Sequence, residues 1–177
     1  MAELDATADG AVADLNSLSA ALAKVNDGLS RVTPNTNAAV NLADQRDALL
    51  EEMSGLVDIT ASYDAAGRAT VRAGGGTGTT LVSGNQVATV SYARNAQGAV
   101  AFAVTNGDTV SVVSPQGGAL GGIVDGAQRI AGARIELAEL ATQFVDGVNA
   151  VQAGGRTLDN GAGLSLIHIS EPTRQEA

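Results

Sequence analysis

Side-chain chemistry near neutral pH usually rests on an imidazole, a thiolate or a pair of converging carboxylates, and this sequence is poor in all three. It holds no cysteine and one histidine, His168. A disulfide framework, a thiolate metal site and a cysteine nucleophile are therefore excluded. A Ser-His-Asp arrangement would have to use His168. A Ser-Lys dyad would have to use Lys24, the single lysine, which falls in a helical pattern with no supporting motif. The carboxylates are numerous but scattered. Glu51 and Glu52 are adjacent, so on a helix they point about 100° apart. Glu136 and Glu139 share a helix face, and a solvated face is the favoured reading of that pair. The stretch Gly74-Gly-Gly-Thr-Gly78 lacks the Lys-Ser/Thr that ends a phosphate-binding loop and lies between strand-like segments. Asp159-Asn-Gly161 opens like a calcium loop, but the later ligands are missing. The densest polar cluster is Asp44-Gln-Arg-Asp47, where Arg46 is read as pairing with an acidic neighbour or as a buried arginine fixing a helix–helix contact. The expectation is no catalytic, cofactor-binding or metal-ligating residue, and no enzyme.

Composition narrows the classes further. The chain has 177 residues, with 10 Lys and Arg against 19 Asp and Glu, hence a formal charge of −9. That balance opposes binding to a phosphate backbone, which needs clustered basic residues. No apolar run approaches the roughly 20 residues of a membrane-spanning helix. The acidic start, Met1 to Gly10, lacks the basic and apolar regions of a cleavable signal peptide. Four aromatic residues and 22 glycines give a core built from small side chains, and small side chains bury little area at roughly 25 cal/mol per Å².

The elements that would position any site are legible from periodicity. Leu4, Ala8, Ala11, Leu15, Leu18, Leu22, Val25, Leu29 and Val32 alternate spacings of four and three, an apolar heptad seam that predicts one helix over 3–31. Thr33-Pro34-Asn35 ends it. A second helix is predicted over 38–54, with Asn37 as N-cap and Gly55 closing it. The short connection favours an antiparallel pair. From Val57 to Val113 the period switches to two. Five or six short strands, separated by turns such as Asp64 to Gly67, Gly84-Asn85, Asn95 to Gly98 and Asn106-Gly107, predict an antiparallel meander. A third helix is predicted over 120–152, its seam running Leu120, Ile123, Ala127, Ile130, Arg134, Leu137, Ala141, Phe144, Val148 and Val151. The fold class is thus α+β: long antiparallel heptad helices with an inserted small β meander. The expected domains are a helical rod (3–56 with 119–153) and a β-rich insertion (57–114) at one end of it. A turn-rich linker (154–163) leads to a missing domain, and a non-native tail (164–177) follows.

Several of these segments, in order, resemble the flagellar hook-associated protein 1 family (FlgK), the first hook–filament junction protein. Asn41-Leu-Ala-Asp-Gln-Arg-Asp-Ala-Leu-Leu50, continuing to Met53-Ser-Gly-Leu-Val-Asp-Ile59, is similar to that family's Asp-Gln-Arg-Asp helix ahead of a β region. Leu81-Val82-Ser-Gly84, Gly117-Gly-Ala-Leu-Gly-Gly122, Phe144-Val-Asp-Gly-Val-Asn149 and Leu158-Asp-Asn-Gly161 resemble its later landmarks. The resemblance covers about residues 4–163. It implies a structural subunit of the bacterial flagellum without cofactor or metal. The implied partners are other copies of itself, the hook protein, the second junction protein and an export chaperone, and neither nucleic acid nor membrane insertion is implied. It also implies an extracellular location reached through the flagellar type III system without a cleavable signal peptide. The family's terminal coiled-coil regions are not seen here, so an internal fragment is expected. Leu164 to Arg174 resembles the translation of a transposon-end sequencing adapter, and Gln175 to Ala177 a sample index read in frame. The competing class is a surface adhesin or phage-tail-like module with a coiled-coil stalk and β head. It would be marked by repeated β modules or an Ile-rich trimeric seam, whereas this chain has one β segment and an Ala/Leu/Val seam.

Overall fold

The computed structural model describes residues 2–74, 78–95 and 98–156. The tail 164–177 with His168, the Asp159-Asn-Gly161 turn and the middle of the Gly74–Gly78 loop lie outside the described residues. The elements run α1 (Ala2–Arg31), α2 (Asn37–Leu56), β1 (Ile59–Tyr63), β2 (Ala69–Ala73), β3 (Thr79–Ser83), β4 (Gln86–Val87), β5 (Thr89–Arg94), β6 (Val100–Asn106), β7 (Thr109–Val113) and α3 (Gly118–Ala153). This is the α+β class expected. The chain divides into a compact unit over 1–129 and a second unit from residue 130 onward.

The predicted seam of α1 is the buried one. Ala8, Ala11, Leu15, Leu22, Val25 and Leu29 are all buried, and Leu4 and Leu18 pack at the margin. The buried face is wider than a two-helix seam, because Val12, Ser19, Ala23 and Asn26 are buried as well. The extra width has a physical cause: α1 packs on α2 along one side and on the sheets along another. α2 runs antiparallel to α1. Gly28 lies against Leu42, and the groove where the other ends meet is lined by Asp14, Ser17 and Leu18 with Glu52, Gly55 and Leu56.

The ends of α2 differ from the expectation. The N-cap is Thr36, not Asn37: its backbone is extended and its Oγ1 accepts from the Ala39 N–H at 3.3 Å. A Ser/Thr side chain there satisfies one of the helix's orphan donors. At the other end Gly55 stays helical and the helix runs to Leu56. Val57 then turns extended, donating its N–H to the Met53 carbonyl at 3.0 Å while its side chain is buried. Burial of Val57, not glycine flexibility, sets the exit.

The β region keeps the expected antiparallel meander order and divides into two sheets, ordered β1-β2-β3-β4 and β5-β6-β7. The division falls at Ala88, which is buried and donates to the Leu81 carbonyl at 2.8 Å. The inner faces carry Val71, Leu81, Val82, Val90, Phe102 and Val104, all buried. They close the core against α1, with Leu120 and Ile123 from the start of α3 in the same cluster. The sheets lie along α1, not at one end of it, since α1 touches them from Asp5 to Asn26. In the second unit α3 continues to Ala153, and Ile130, Ile135, Leu137, Leu140, Phe144 and Val151 are exposed there.

Candidate functional site

The polar side chains of the first unit are spent on joining elements. Asn26 is fully buried in α1. Its Nδ2 donates to the Ala69 carbonyl at 2.8 Å and the Gly84 carbonyl at 2.9 Å, and its Oδ1 accepts from the Ala69 N–H at 2.8 Å. Ten residues earlier on the same helix, Asn16 does the same to β5. Its Nδ2 donates to the Val90 carbonyl at 2.9 Å and its Oδ1 accepts from the Val90 N–H at 2.8 Å. Each amide side chain completes a strand's backbone pairing as a neighbouring strand would, which is what buried peptide groups require. Neither asparagine was singled out from sequence. Within a heptad pattern each reads as a solvent-facing polar position, and the available signal is that each directly follows a seam residue, Leu15 or Val25.

At the start of α1, Asp5 accepts from the Tyr92 hydroxyl at 2.5 Å and from Arg94 at 2.8 Å. Burial, and then the Asp5 carboxylate beside it, hold the Tyr92 phenol above its ordinary value. Tyr92 also packs against Phe102, with ring centroids 5.7 Å apart.

Arg46, the centre of the Asp44-Gln-Arg-Asp47 cluster, has a side chain only 13% exposed. It pairs with Asp47 at 2.7 Å, donates to the Gly67 carbonyl at 2.5 Å, and lies 4.4 Å above the Tyr63 ring. The expected acidic partner is therefore present. The contact it fixes, however, is between α2 and the β1–β2 hairpin, not between two helices. A planar guanidinium serves both the fork and the stack, which lysine cannot do. The hairpin's own turn is closed by Asp64. Its carboxylate accepts from the N–H groups of Ala66 and Arg68 and from the Arg68 guanidinium at 2.6 Å. The Arg68 N–H and guanidinium hold the Asp64 carboxyl below its ordinary 3.8.

The remaining candidates stay apart. Lys24, Glu51, Glu52, Glu136 and Glu139 are all exposed, and no base or nucleophile partner of theirs appears among the described residues. No group of three or more His, Cys, Asp or Glu that could hold a metal ion occurs among the described residues. No helix is long and apolar enough to cross a membrane, again among the described residues. The grooves are open and shallow. That between α1 and α2, about 450 Å³, presents two carboxylates and a serine but no group to activate the serine.

What the protein offers instead is surface. The outward face of the second sheet carries Thr89, Ser91, Ala93, Ala101, Ala103 and Thr105 beside Val110 and Val112, with no charge among them. In the second unit, Ile130, Leu137, Phe144 and Val151 recur every seven residues on α3 and are 37%, 65%, 67% and 78% exposed. At 1.5 Å per residue they form an apolar stripe about 30 Å long. Uncharged and apolar faces exposed in this way suit contact with a partner.

The model of the family "Flagellar hook-associated protein FlgK helical domain" matches residues 1–166. Flagellar hook-associated protein 1 of Salmonella typhimurium and that of Salmonella typhi are each 29% identical over 176 residues. The match takes in 91% of this chain and 30% of either relative. The chain therefore spans about 30% of the length of the curated relatives it matches. The structure of the flagellar hook junction protein FlgK from Burkholderia pseudomallei shares the fold with a TM-score of 0.71. It is 24% identical and is aligned over 92% of this chain and 30% of its own.

Proposed function

This chain belongs to the family of the flagellar hook-associated protein FlgK helical domain, and on that premise we propose that it is part of a structural subunit at the junction between hook and filament of a bacterial flagellum. The observation that carries the proposal is the family match over residues 1–166. The build of the chain supports it. Polar side chains interlock helices and sheets, and the exposed apolar residues lie on faces suited to neighbouring subunits.

In this reading the chain works by contact alone, without catalysis, cofactor or metal. Residues 3–56 with 119–153 form the helical rod domain and 57–114 the β-rich insertion. Its neighbours are other copies of itself and the adjoining axial proteins, namely hook protein and second junction protein, with an export chaperone before assembly. The subunit leaves the cell through the flagellar type III system. Heterologous contacts then propagate it along a helical lattice. No observation favours the adhesin or phage-tail reading.

The test is localisation. An antibody raised against this chain is applied to isolated flagella of cells carrying the gene, and gold label is read by electron microscopy. Label confined to a band where hook meets filament is the expected result. Label along the filament, at the cell surface or absent from flagella refutes the proposal.

A further inference from the structure

The second sheet ends in an open strand. The opposite edge of that sheet, β5, is met by α1 through the Asn16 amide on Val90. β7 has no comparable cover: among the described residues, no backbone bond outside its ladder with β6 involves Thr109–Val113. The β6–β7 hairpin fixes what that edge presents. Asn106 pairs with Thr109 across the two-residue turn Gly107-Asp108, with Gly107 at φ +57°. The closing pair of such a turn is hydrogen-bonded, and the pairs alternate from there. Ser111 therefore directs its N–H and carbonyl to β6, while Val110 and Val112 direct theirs to the open side. The side chains of Val110 and Val112 stand on the uncharged outward face, 64% and 73% exposed.

Soluble proteins blunt such edges with lysine, proline, a bulge or an inward charge. β7 has none of these: its sequence is Thr-Val-Ser-Val-Val, and its ladder with β6 is regular. In a chain of net charge −9, an uncharged edge is where a second copy meets least repulsion.

We infer that β7 pairs with β7 of a second copy of this chain, antiparallel and centred on Ser111. The strand is self-complementary about that point. Val110 lies opposite Val112 of the second copy, and the reverse pair repeats it. The four outward backbone groups of each copy, two N–H and two carbonyl, are then satisfied, and two three-stranded sheets become one of six. Asp108 falls opposite Ser114 of the second copy, so no like charges face each other. A five-residue edge buries well under the roughly 1,200 Å² of stable interfaces, so the pair is weak and reversible. It is isologous and closed, unlike the head-to-tail contacts of a polar lattice, and so belongs to free molecules. The inference does not rest on the flagellar reading.

The absence of native cysteine makes single introduced thiols specific reporters. The two Ser111 positions form a non-hydrogen-bonded pair, the closer of the two antiparallel spacings and within disulfide reach. Under mild oxidation, Ser111→Cys is expected to give covalent dimer at least about tenfold faster than Ser54→Cys on the exposed side of α2, because pairing raises the local thiol concentration. Val110→Cys mixed with Val112→Cys gives the mixed dimer in preference to either homodimer. Adding Val112→Lys to Ser111→Cys returns its rate to that of Ser54→Cys. Circular dichroism checks that each variant is folded, and the Val110 and Val112 thiols, on an exposed face, keep the test available if Ser111→Cys does not fold. Linkage of Ser111→Cys at the Ser54→Cys rate, or a mixture of Val110→Cys and Val112→Cys without preference for the mixed dimer, overturns the inference.

Discussion

Replacing Gly118 by alanine is expected to cost about 2–5 kcal/mol, from two sources acting together. Gly118 begins α3 with φ +69°. A side chain in the left-handed region costs roughly 1–2 kcal/mol. A Cβ built there would also lie 2.5 Å from the Leu56 carbonyl carbon, 2.6 Å from the Val57 nitrogen and 2.7 Å from the Leu56 oxygen. All three are backbone atoms and cannot swing aside as a side-chain tip would. Relief requires moving the exit of α2, where Val57 caps the helix and is itself buried. Overpacking of that kind costs typically about 1–3 kcal/mol. Gly122 is the internal control. It lies four residues on in the same glycine-rich segment, and a Cβ there meets nothing within 4 Å. Gly122→Ala in a helix interior is expected to stabilise by about 0.5–1 kcal/mol. The assay is urea unfolding of both variants by circular dichroism, with amide hydrogen exchange at Val57 as the local readout. The Gly118 variant should lose stability and expose the Val57 amide, while the Gly122 variant does neither. Should Gly118→Ala unfold within about 0.5 kcal/mol of the parent, the close approach of α3 to the end of α2 is not what holds that corner.

Further outcomes follow from the interlocks. Asn26→Ala removes three hydrogen bonds and strands the Ala69 N–H and two carbonyls; a loss of about 3 kcal/mol is expected in urea unfolding, since unsatisfied buried groups cost about 1–3 kcal/mol each with partial relaxation. Ser19 is buried, and its Oγ has no hydrogen-bond partner among the described residues, so Ser19→Ala should be neutral or raise the thermal midpoint, by up to about 1 kcal/mol of stability. Arg46→Lys keeps the charge but loses the fork to Gly67 and Asp47 and the stack on Tyr63; thermal unfolding should report a loss of about 1–2 kcal/mol. The Asp64 carboxyl is held below 3.8 in the fold, so the unfolded chain takes up the proton first. Its stabilisation is present above about pH 4 and is lost as pH falls through and below that value. Urea midpoints measured across that range should fall for the parent and less steeply for Asp64→Asn.

Much of this architecture was legible in the sequence, and the gaps share a cause. The α1 seam was read position by position because a repeat of four and three survives any choice of partner. Its width was not, because a heptad says that a face is buried without saying whether a helix or a sheet covers it. The antiparallel meander order was legible, but its division into two sheets at Ala88 was not, because no alternation pattern signals the burial of that small residue or its bond to Leu81. The N-cap shifted by one because Thr36 and Asn37 are both competent caps, and backbone geometry decided between them. The role of Arg46 was anticipated in kind but not in partner: spacing along α2 says nothing about which hairpin folds beneath it. The expectation of no catalytic constellation is a reading of residue types alone, from one histidine, no cysteine and one lysine.

The two asparagines of α1 carry a consequence for how errors are rejected. They stand ten residues apart, about 15 Å along a helix, and each grips one strand residue by both its donor and its acceptor. The helix is in effect a gauge with two marks, against which Ala69 and Val90 must both align. A sheet that slipped by one residue would turn its core side outward and miss its mark on the gauge as well. The same gauge makes the spacing between its marks indispensable. Inserting or deleting one residue between positions 16 and 26 swings one amide by about 100° off its strand.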